Sequence, residues 1–232
     1  ESHALKICKL QDMALEMRAP LITVNDSGGA RIGEGLHSLN GYSGIFLRNT
    51  EASGVIPQIA VIMGPCAGGA CYSPAICDFI FMVERSSYMF ITGPQVMKTV
   101  TSETVTVEEL GGARVHATES GVSHFTYPDD KSCLKGVRRL LTYLPQNNRE
   151  NPPGIAGAVP GDCAGLQELV PQNPRKAYDI HKVIDAVLDR DSFFEVQAEW
   201  ARNAVVGFGR LGGGTVGIVA NQPAYMGGSL DY

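Results

Sequence analysis

The stretch Pro57–Asp78, PQIAVIMGPCAGGACYSPAICD, holds the residue types and spacing that point most directly to chemistry. Ile59–Met63 is an uninterrupted apolar run, the pattern of a strand buried on both faces. Gly64 and Pro65 are expected to stop it, and the small residues Ala67, Gly68, Gly69 and Ala70 to open a helix reaching about Ile76. A strand that turns through two glycines into a helix presents unpaired N–H groups at the helix start. With no Cβ in the way, an oxygen can approach them closely, and the helix dipole favours negative charge on it. Gly68 and Gly69 therefore read as an oxyanion site, suited to the enolate of a thioester. Glycines at such a junction also serve plain close packing or a tight turn.

A second junction of the same kind lies upstream. Leu21–Val24 reads as a short buried strand after Pro20, and it runs into Asn25-Asp26-Ser27-Gly28-Gly29-Ala30-Arg31-Ile32. Arg31 adds a cation that suits a phosphate or carboxylate, or equally a surface ion pair. Cys66, Cys71 and Cys77 are five and six residues apart, with no CxxC and no neighbouring His, which argues against zinc. The six cysteines of the chain read as buried reduced thiols rather than a disulfide framework. Cys71 at a helix start is a conceivable nucleophile, but no His close in sequence offers a base.

These residues need a frame, and the chain is long enough to build one. It has 232 residues, 44% of them hydrophobic, so a sizeable core is expected. A net charge of −5 without a clustered basic face ranks nucleic-acid binding low. No apolar run approaches the roughly 20 residues of a membrane-spanning helix. The first 20 residues lack an initiator Met and a signal-peptide layout, and they read as a helix covered on more than one side, so the chain is expected to come from a longer one.

A helix is predicted over Leu36–Ala52, strands over Phe79–Val83 and Met89–Thr92, and an amphipathic helix over Lys131–Leu144 whose basic trio Lys135, Arg138 and Arg139 reads as a solvated face. Thr106 with Glu109 three residues on is a capping box. Strands alternating with helices argue for an α/β fold with largely parallel pairing. Residues 145–174 are rich in Pro, Gly and Asn and read as a linker or extended loop. A helical stripe begins at Tyr178, with His181 on it read as structural, and Phe193, Phe194 and Trp200 read as packing anchors. Gly207, Gly209 and Gly212 satisfy GxGxxG, yet Val216–Val219 looks like a strand where the dinucleotide fingerprint needs a helix, so a β-hairpin fits better.

NDSGGARI (25–32), GPCAGGACYSPAICDF (64–79), FITGPQVMKTVTSETV (90–105), EELGGARVH (108–116) and GFGR…VGIVANQP (207–223) resemble the carboxyltransferase subunit of biotin-dependent acyl-CoA carboxylases, the propionyl-CoA carboxylase β type. Methylmalonyl-CoA decarboxylase α-subunits and the transcarboxylase subunit are similarly alike. The resemblance implies a crotonase (ClpP/crotonase-like) α/β fold. Residues 1–150 would be most of an N-terminal domain, and 151–232 a linker and the opening of a second crotonase-like domain. It implies a hexamer whose site is shared between protomers. It also implies a CoA thioester substrate, biotin carried on a partner carrier domain, a biotin carboxylase partner, no metal, and a place in the cytoplasm or mitochondrial matrix. By position, Gly68 and Gly69 match the glycine pair assigned to the thioester oxyanion. Gly29 and Ala30 are the weaker candidates for the other N–H group, and Arg31 for a CoA contact. The pair that holds the biotin carbonyl lies in the second domain and is expected to be missing from this chain. No dedicated general base stands out, consistent with the family proposal that biotin itself takes the α-proton.

Two readings of other classes stand beside this one. A hydratase or thioesterase of the same fold would need an acid or base such as Asp26, Glu34 or Asp78 in the pocket. A non-catalytic assembly subunit would need none.

Overall fold

The structure, a computed structural model, describes residues 2–173 and 175–230 and divides into two compact units. Unit 1 comprises residues 1–139 and 145–151, and unit 2 residues 140–144 and 152–232.

Unit 1 is built on a parallel sheet. Helix α1 (Ser2–Met17) leads into strand β1 (Leu21–Ser27), and helix α2 (Leu36–Ala52) into β2 (Gln58–Ala67). A 3-10 turn (Gly68–Cys71) and the single helical turn α3 (Tyr72–Ala75) follow, then β3 (Phe79–Val83) and β4 (Tyr88–Phe90). Helices α4 (Pro94–Thr101), α5 (Val107–Gly111) and α6 (Ala113–Thr118), strand β5 (Phe125–Tyr127) and helix α7 (Asp130–Leu141) complete this part of the chain. The sheet order is β1-β2-β3-β5, with β4 also on β2. Every pairing is parallel, as intervening helices require.

Strand β2 is the axis of the unit. Ile59, Ala60, Val61 and Ile62 are all 0% exposed, so both faces are covered as the run implies. The strand does not stop at Gly64-Pro65. Its first half pairs with β3, and its second half, Pro65–Ala67, pairs with β4. Between these halves the register with β1 jumps from Asn25↔Ile62 to Ser27↔Cys66, a bulge of the kind that re-aims a strand end. Proline is tolerated at such a bulge. Strand β1 is not buried on both faces: it lies at the sheet edge, and Ile22 and Val24 are exposed. Helix α1 likewise leaves Leu5, Leu10, Met13 and Met17 exposed in this chain, against the expectation of cover on several sides.

Helix α2 starts and ends where the pattern predicts. It is tied to the sheet by a buried polar triad. Asn49 Nδ2 donates to Gln58 Oε1 (2.9 Å), Gln58 Nε2 returns a bond to Asn49 O (2.9 Å), and Ser73 Oγ donates to Asn49 Oδ1 (2.8 Å). The Arg48 guanidinium grips both oxygens of Asp12 at 2.7 and 3.0 Å, holding α1 against α2. The capping box is present: Thr106 Oγ1 accepts from Glu109 N–H, and Glu109 Oε2 accepts from Thr106 N–H.

In unit 2, the described residues of 152–180 carry only the short helix α8 (Leu166–Leu169). Helix α9 (His181–Val187) and strands β6 (Phe194–Val196), β7 (Ala204–Leu211) and β8 (Gly214–Asn221) follow. The three strands form an antiparallel sheet in the order β6-β7-β8. The predicted hairpin is β7–β8, turned at Gly212 and Gly213 with φ of +60° and +81°, a turn only glycines adopt freely. Asp189 accepts both turn N–H groups at 3.0 and 2.7 Å. Helix α9 begins three residues later than the stripe at Tyr178, with Ile180 at its N-cap and Asp179 Oδ1 accepting the His181 N–H just ahead of it. Of the expected anchors, Phe194 is buried and stacks with Tyr143, centroids 5.9 Å apart, whereas Trp200 is exposed.

His181 has three partners: Nδ1 meets Asp179 Oδ1 at 2.7 Å and Gln222 Nε2 at 3.2 Å, and Nε2 meets Glu195 Oε2 at 2.9 Å. Burial alone would lower its pKa, but the bonds and charges of Asp179 and Glu195 outweigh it and raise the value above the ordinary 6.5. Gln222, foremost, and His181 hold Asp179 down to about 2.

Two outcomes follow from these contacts. Asn49→Ala strips partners from Gln58 and Ser73 and is expected to lower unit 1 stability by about 2 kcal/mol, read as a lower urea midpoint at unchanged slope. A loss below about 0.5 kcal/mol contradicts the triad's role. For His181 the folded pKa is raised, so its clamp is fully present below the unfolded value near 6.5 and is lost as pH climbs through the folded value. An NMR titration is expected to place His181 above 6.5, and a midpoint at or below that value contradicts the clamp.

Candidate active site

Two glycine turns meet at the carboxyl ends of neighbouring parallel strands. The first, Ser27–Ala30, leaves β1, and the second, Gly68–Gly69, leaves β2. Ser27 pairs with Cys66, so the two chains emerge side by side. They touch: a Cβ built on Gly29, whose φ is +96°, would lie 2.6 Å from Ala67 O and 3.7 Å from Gly68 Cα. Only glycine fits there. Gly68 follows the last pair of the β2–β4 ladder, and its φ of +60° turns the chain out of the strand. That left-handed residue is why the regular helix expected from Ala67 is replaced by a 3-10 turn, with α3 delayed to Tyr72.

The amides of these turns differ in what they do. Gly29 N–H donates to Ser27 Oγ at 3.2 Å. Gly69 N–H and Ala30 N–H have no acceptor among the described residues. Open amides at the start of a helical turn are suited to bind an anionic oxygen.

A cleft of about 400 Å³ lies beside the first turn, lined by Ser27, Gly29, Ala30, Glu34, His37 and Tyr42 among others. Such a volume suits a small acyl group with part of its carrier. Tyr42, on α2, also lies against the second turn: a Cβ on Gly69 would sit 3.4 Å from its Cδ2. The sequence reading missed this residue. Its one signal was Phe46 four residues on, whose ring centroid is 5.8 Å away, and such a pair reads as ordinary core.

The other candidates scatter. Arg31 is largely exposed on the cleft wall, with a guanidinium nitrogen 3.7 Å from Glu34 Oε1. Asp78 accepts the Gln58 N–H at the opposite end of β2, about 30 Å of strand away from Gly68. Asp26 packs over Gly64, where a Cβ would meet its carboxyl carbon at 2.4 Å. Cys71 Sγ donates to Gly68 O at 3.0 Å, and burial pushes its pKa up, which opposes a nucleophilic role. Among the described residues no group of three or more His, Cys, Asp or Glu side chains is placed to hold a metal ion.

Comparison with known proteins gives this geometry its family. The profile described as the carboxyl transferase domain matches residues 1–232. The chain belongs to the carboxyl transferase family. It is 58% identical over 236 residues to the propionyl-CoA carboxylase carboxyltransferase subunit of Haloferax mediterranei, covering 100% of this chain and 45% of that one. It is 51% identical over 233 residues to the methylmalonyl-CoA decarboxylase subunit alpha of Propionigenium modestum, covering 100% and 46%. Among solved structures, transcarboxylase 12S with hydrolysed methylmalonyl-CoA bound superposes with a TM-score of 0.95 at 46% identity, over 99% of this chain and 46% of that one. The fold is α/β and crotonase-like, as the resemblance implied. The chain spans about half the length of the curated relatives it matches.

The thiols of this carboxyl transferase domain supply a test of the site's chemistry. Burial pushes Cys66, Cys77 and Cys133 up to about 12, leaving on the order of one part in ten thousand as thiolate at pH 8. Iodoacetamide followed by mass spectrometry is expected to label the exposed Cys163 first. Labelling of Cys71 ahead of Cys163 would contradict the structural reading of that thiol.

Proposed function

We propose that the chain is the acyl-CoA-binding part of a biotin-dependent carboxyltransferase. The reaction moves a carboxyl group between carboxybiotin and the α-carbon of a short-chain acyl-CoA, propionyl-CoA or methylmalonyl-CoA. The single observation that carries this reading is the pair of open amides, Gly69 and Ala30, on two touching turns beside a cleft. Removing a proton, or a carboxyl group as CO₂, from the α-carbon of a thioester leaves an electron pair that puts negative charge on its carbonyl oxygen. Two fixed N–H donors aimed at that oxygen stabilise the charge by about 3–4 kcal/mol each in a water-poor site. Gly69 is the donor from the second turn and Gly68 shapes it. Ala30 is the donor from the first turn, since Gly29 already serves Ser27.

The donor set fits a thioester oxygen, and no residue here is assigned to biotin. When bound on a partner's carrier domain, biotin supplies the carboxyl group. This chain's residues hold the thioester, orient its α-carbon and stabilise the enolate. Arg31, exposed on the cleft wall, is the candidate for a CoA phosphate contact. Asp78 and Asp26 have structural contacts, which supports a mechanism of positioning and electrostatics without a dedicated protein base.

The solved transcarboxylase 12S is described as a hexamer, and we propose the same assembly here, with the site shared between protomers and a biotin carboxylase or carrier subunit as partner. A decarboxylase or transcarboxylase would use the same half-reaction, and the co-purifying subunits separate these. No helix among the described residues is long and apolar enough to cross a membrane. The cytoplasm or the mitochondrial matrix is the proposed location, and the pig and human relatives are named as mitochondrial.

The deciding experiment follows carboxyl exchange between methylmalonyl-CoA and biotin in the full chain. Gly69 lacks a positive φ, so Gly69→Val leaves the backbone allowed but drives a branched side chain toward Tyr42 and displaces the amide. Exchange is expected to fall at least about 100-fold while the assembly and melting temperature hold. Exchange near the wild-type rate refutes the amide's role, and hydration of an enoyl-CoA without biotin points to a hydratase.

A further inference from the structure

We infer that Tyr42 is the gauge of acyl-chain length in this site. The inference rests on the proposed carboxyltransferase reading and adds what sets the size of its substrate. Tyr42 is placed against the second turn, its ring facing Gly69, and it lines the cleft together with Gly29 and Ala30. A carbonyl oxygen about 3 Å from the Gly69 N–H puts the acyl α- and β-carbons within a few bond lengths of that ring. A chain extended from the α-carbon by one or two more carbons meets the ring next.

The ring is held in place. It packs against the buried cluster that includes Ala60, Ile62, Cys66, Ala70 and Cys71. Phe46 backs it at 5.8 Å between centroids, and Tyr72 backs Phe46 edge-on at 5.9 Å. Helix α2, which carries it, is pinned by the Asn49–Gln58–Ser73 triad. Close-packed surroundings do not yield to an extra methylene, so the wall discriminates by size. The Tyr42 hydroxyl has no hydrogen-bond partner among the described residues, so ring and hydroxyl are separable by substitution.

The test compares kcat/KM for acetyl-, propionyl- and butyryl-CoA in the full chain with its biotin carrier. One methylene in an apolar pocket is worth about 10–200-fold in such a comparison. Tyr42→Ala is expected to raise the butyryl-to-propionyl ratio at least about tenfold. Tyr42→Trp is expected to shift preference toward acetyl-CoA, and because it keeps a ring against Phe46 it carries the test if the alanine variant fails to fold. Tyr42→Phe is expected to keep the wild-type ratios. Unchanged ratios in active Ala and Trp variants overturn this inference alone, as does a Phe variant that moves the ratio as far as Ala. A wild-type protein that transfers carboxyl to no acyl-CoA overturns the proposed function, and this inference with it.

Discussion

The parallel pairing of β1 with β2 is the constraint on which the rest depends. Parallel neighbours send their chains out of the sheet at the same end, so the loops that follow them are adjacent without any contact designed between loops. Here both loops are glycine turns, and the register jump between Asn25 and Ser27 brings the Ser27 and Cys66 ends level. Beyond that bulge β2 pairs with β4, and Gly68 lies against Gly29 of the neighbouring turn. The open amides are thus a consequence of sheet topology, and their stiffness is that of the sheet.

Much of unit 1 serves to keep this junction still. Strand β2 is dry on both faces over Ile59–Ile62, which makes it a poor place for motion to start. The Asn49–Gln58–Ser73 triad fastens α2 to the start of the strand and to the helical turn beyond its end. A buried polar triad with every partner satisfied rigidifies its surroundings. Its consequence is carried along α2 to Tyr42, which lies against the second turn. The same packing that stabilises the unit therefore also shapes the cleft.

Several elements were legible in the sequence because each is set by local physics. The α2 boundaries, the Thr106–Glu109 capping box, the β3 run and the β7–β8 hairpin rest on periodicity, side-chain capping and turn chemistry, all within a few residues. The hairpin also disposed of a dinucleotide fingerprint that matched by letters alone. Less legible was everything with a distant partner. The strand β2 runs past Gly64-Pro65 because β4 receives it, a pairing more than 20 residues away. Strand β1 looks apolar throughout, yet it is an edge strand with Ile22 and Val24 open. His181 had no visible partner in sequence, and it lies between Asp179 and Glu195.

By itself the sequence determined which residues are able to serve an oxyanion. Glycine adopts the positive φ of Gly29 and Gly68 without steric cost, and small residues were the visible mark of those turns. The tertiary structure alone decided which amides are free. Gly29 N–H turns inward to Ser27 Oγ while Ala30 and Gly69 are left open, a difference of hydrogen-bond partners that residue type does not encode. It alone also placed Tyr42 against the second turn, because that contact joins a helix to a loop of another strand. Such proximity arises from packing across the sheet, where sequence distance carries no information.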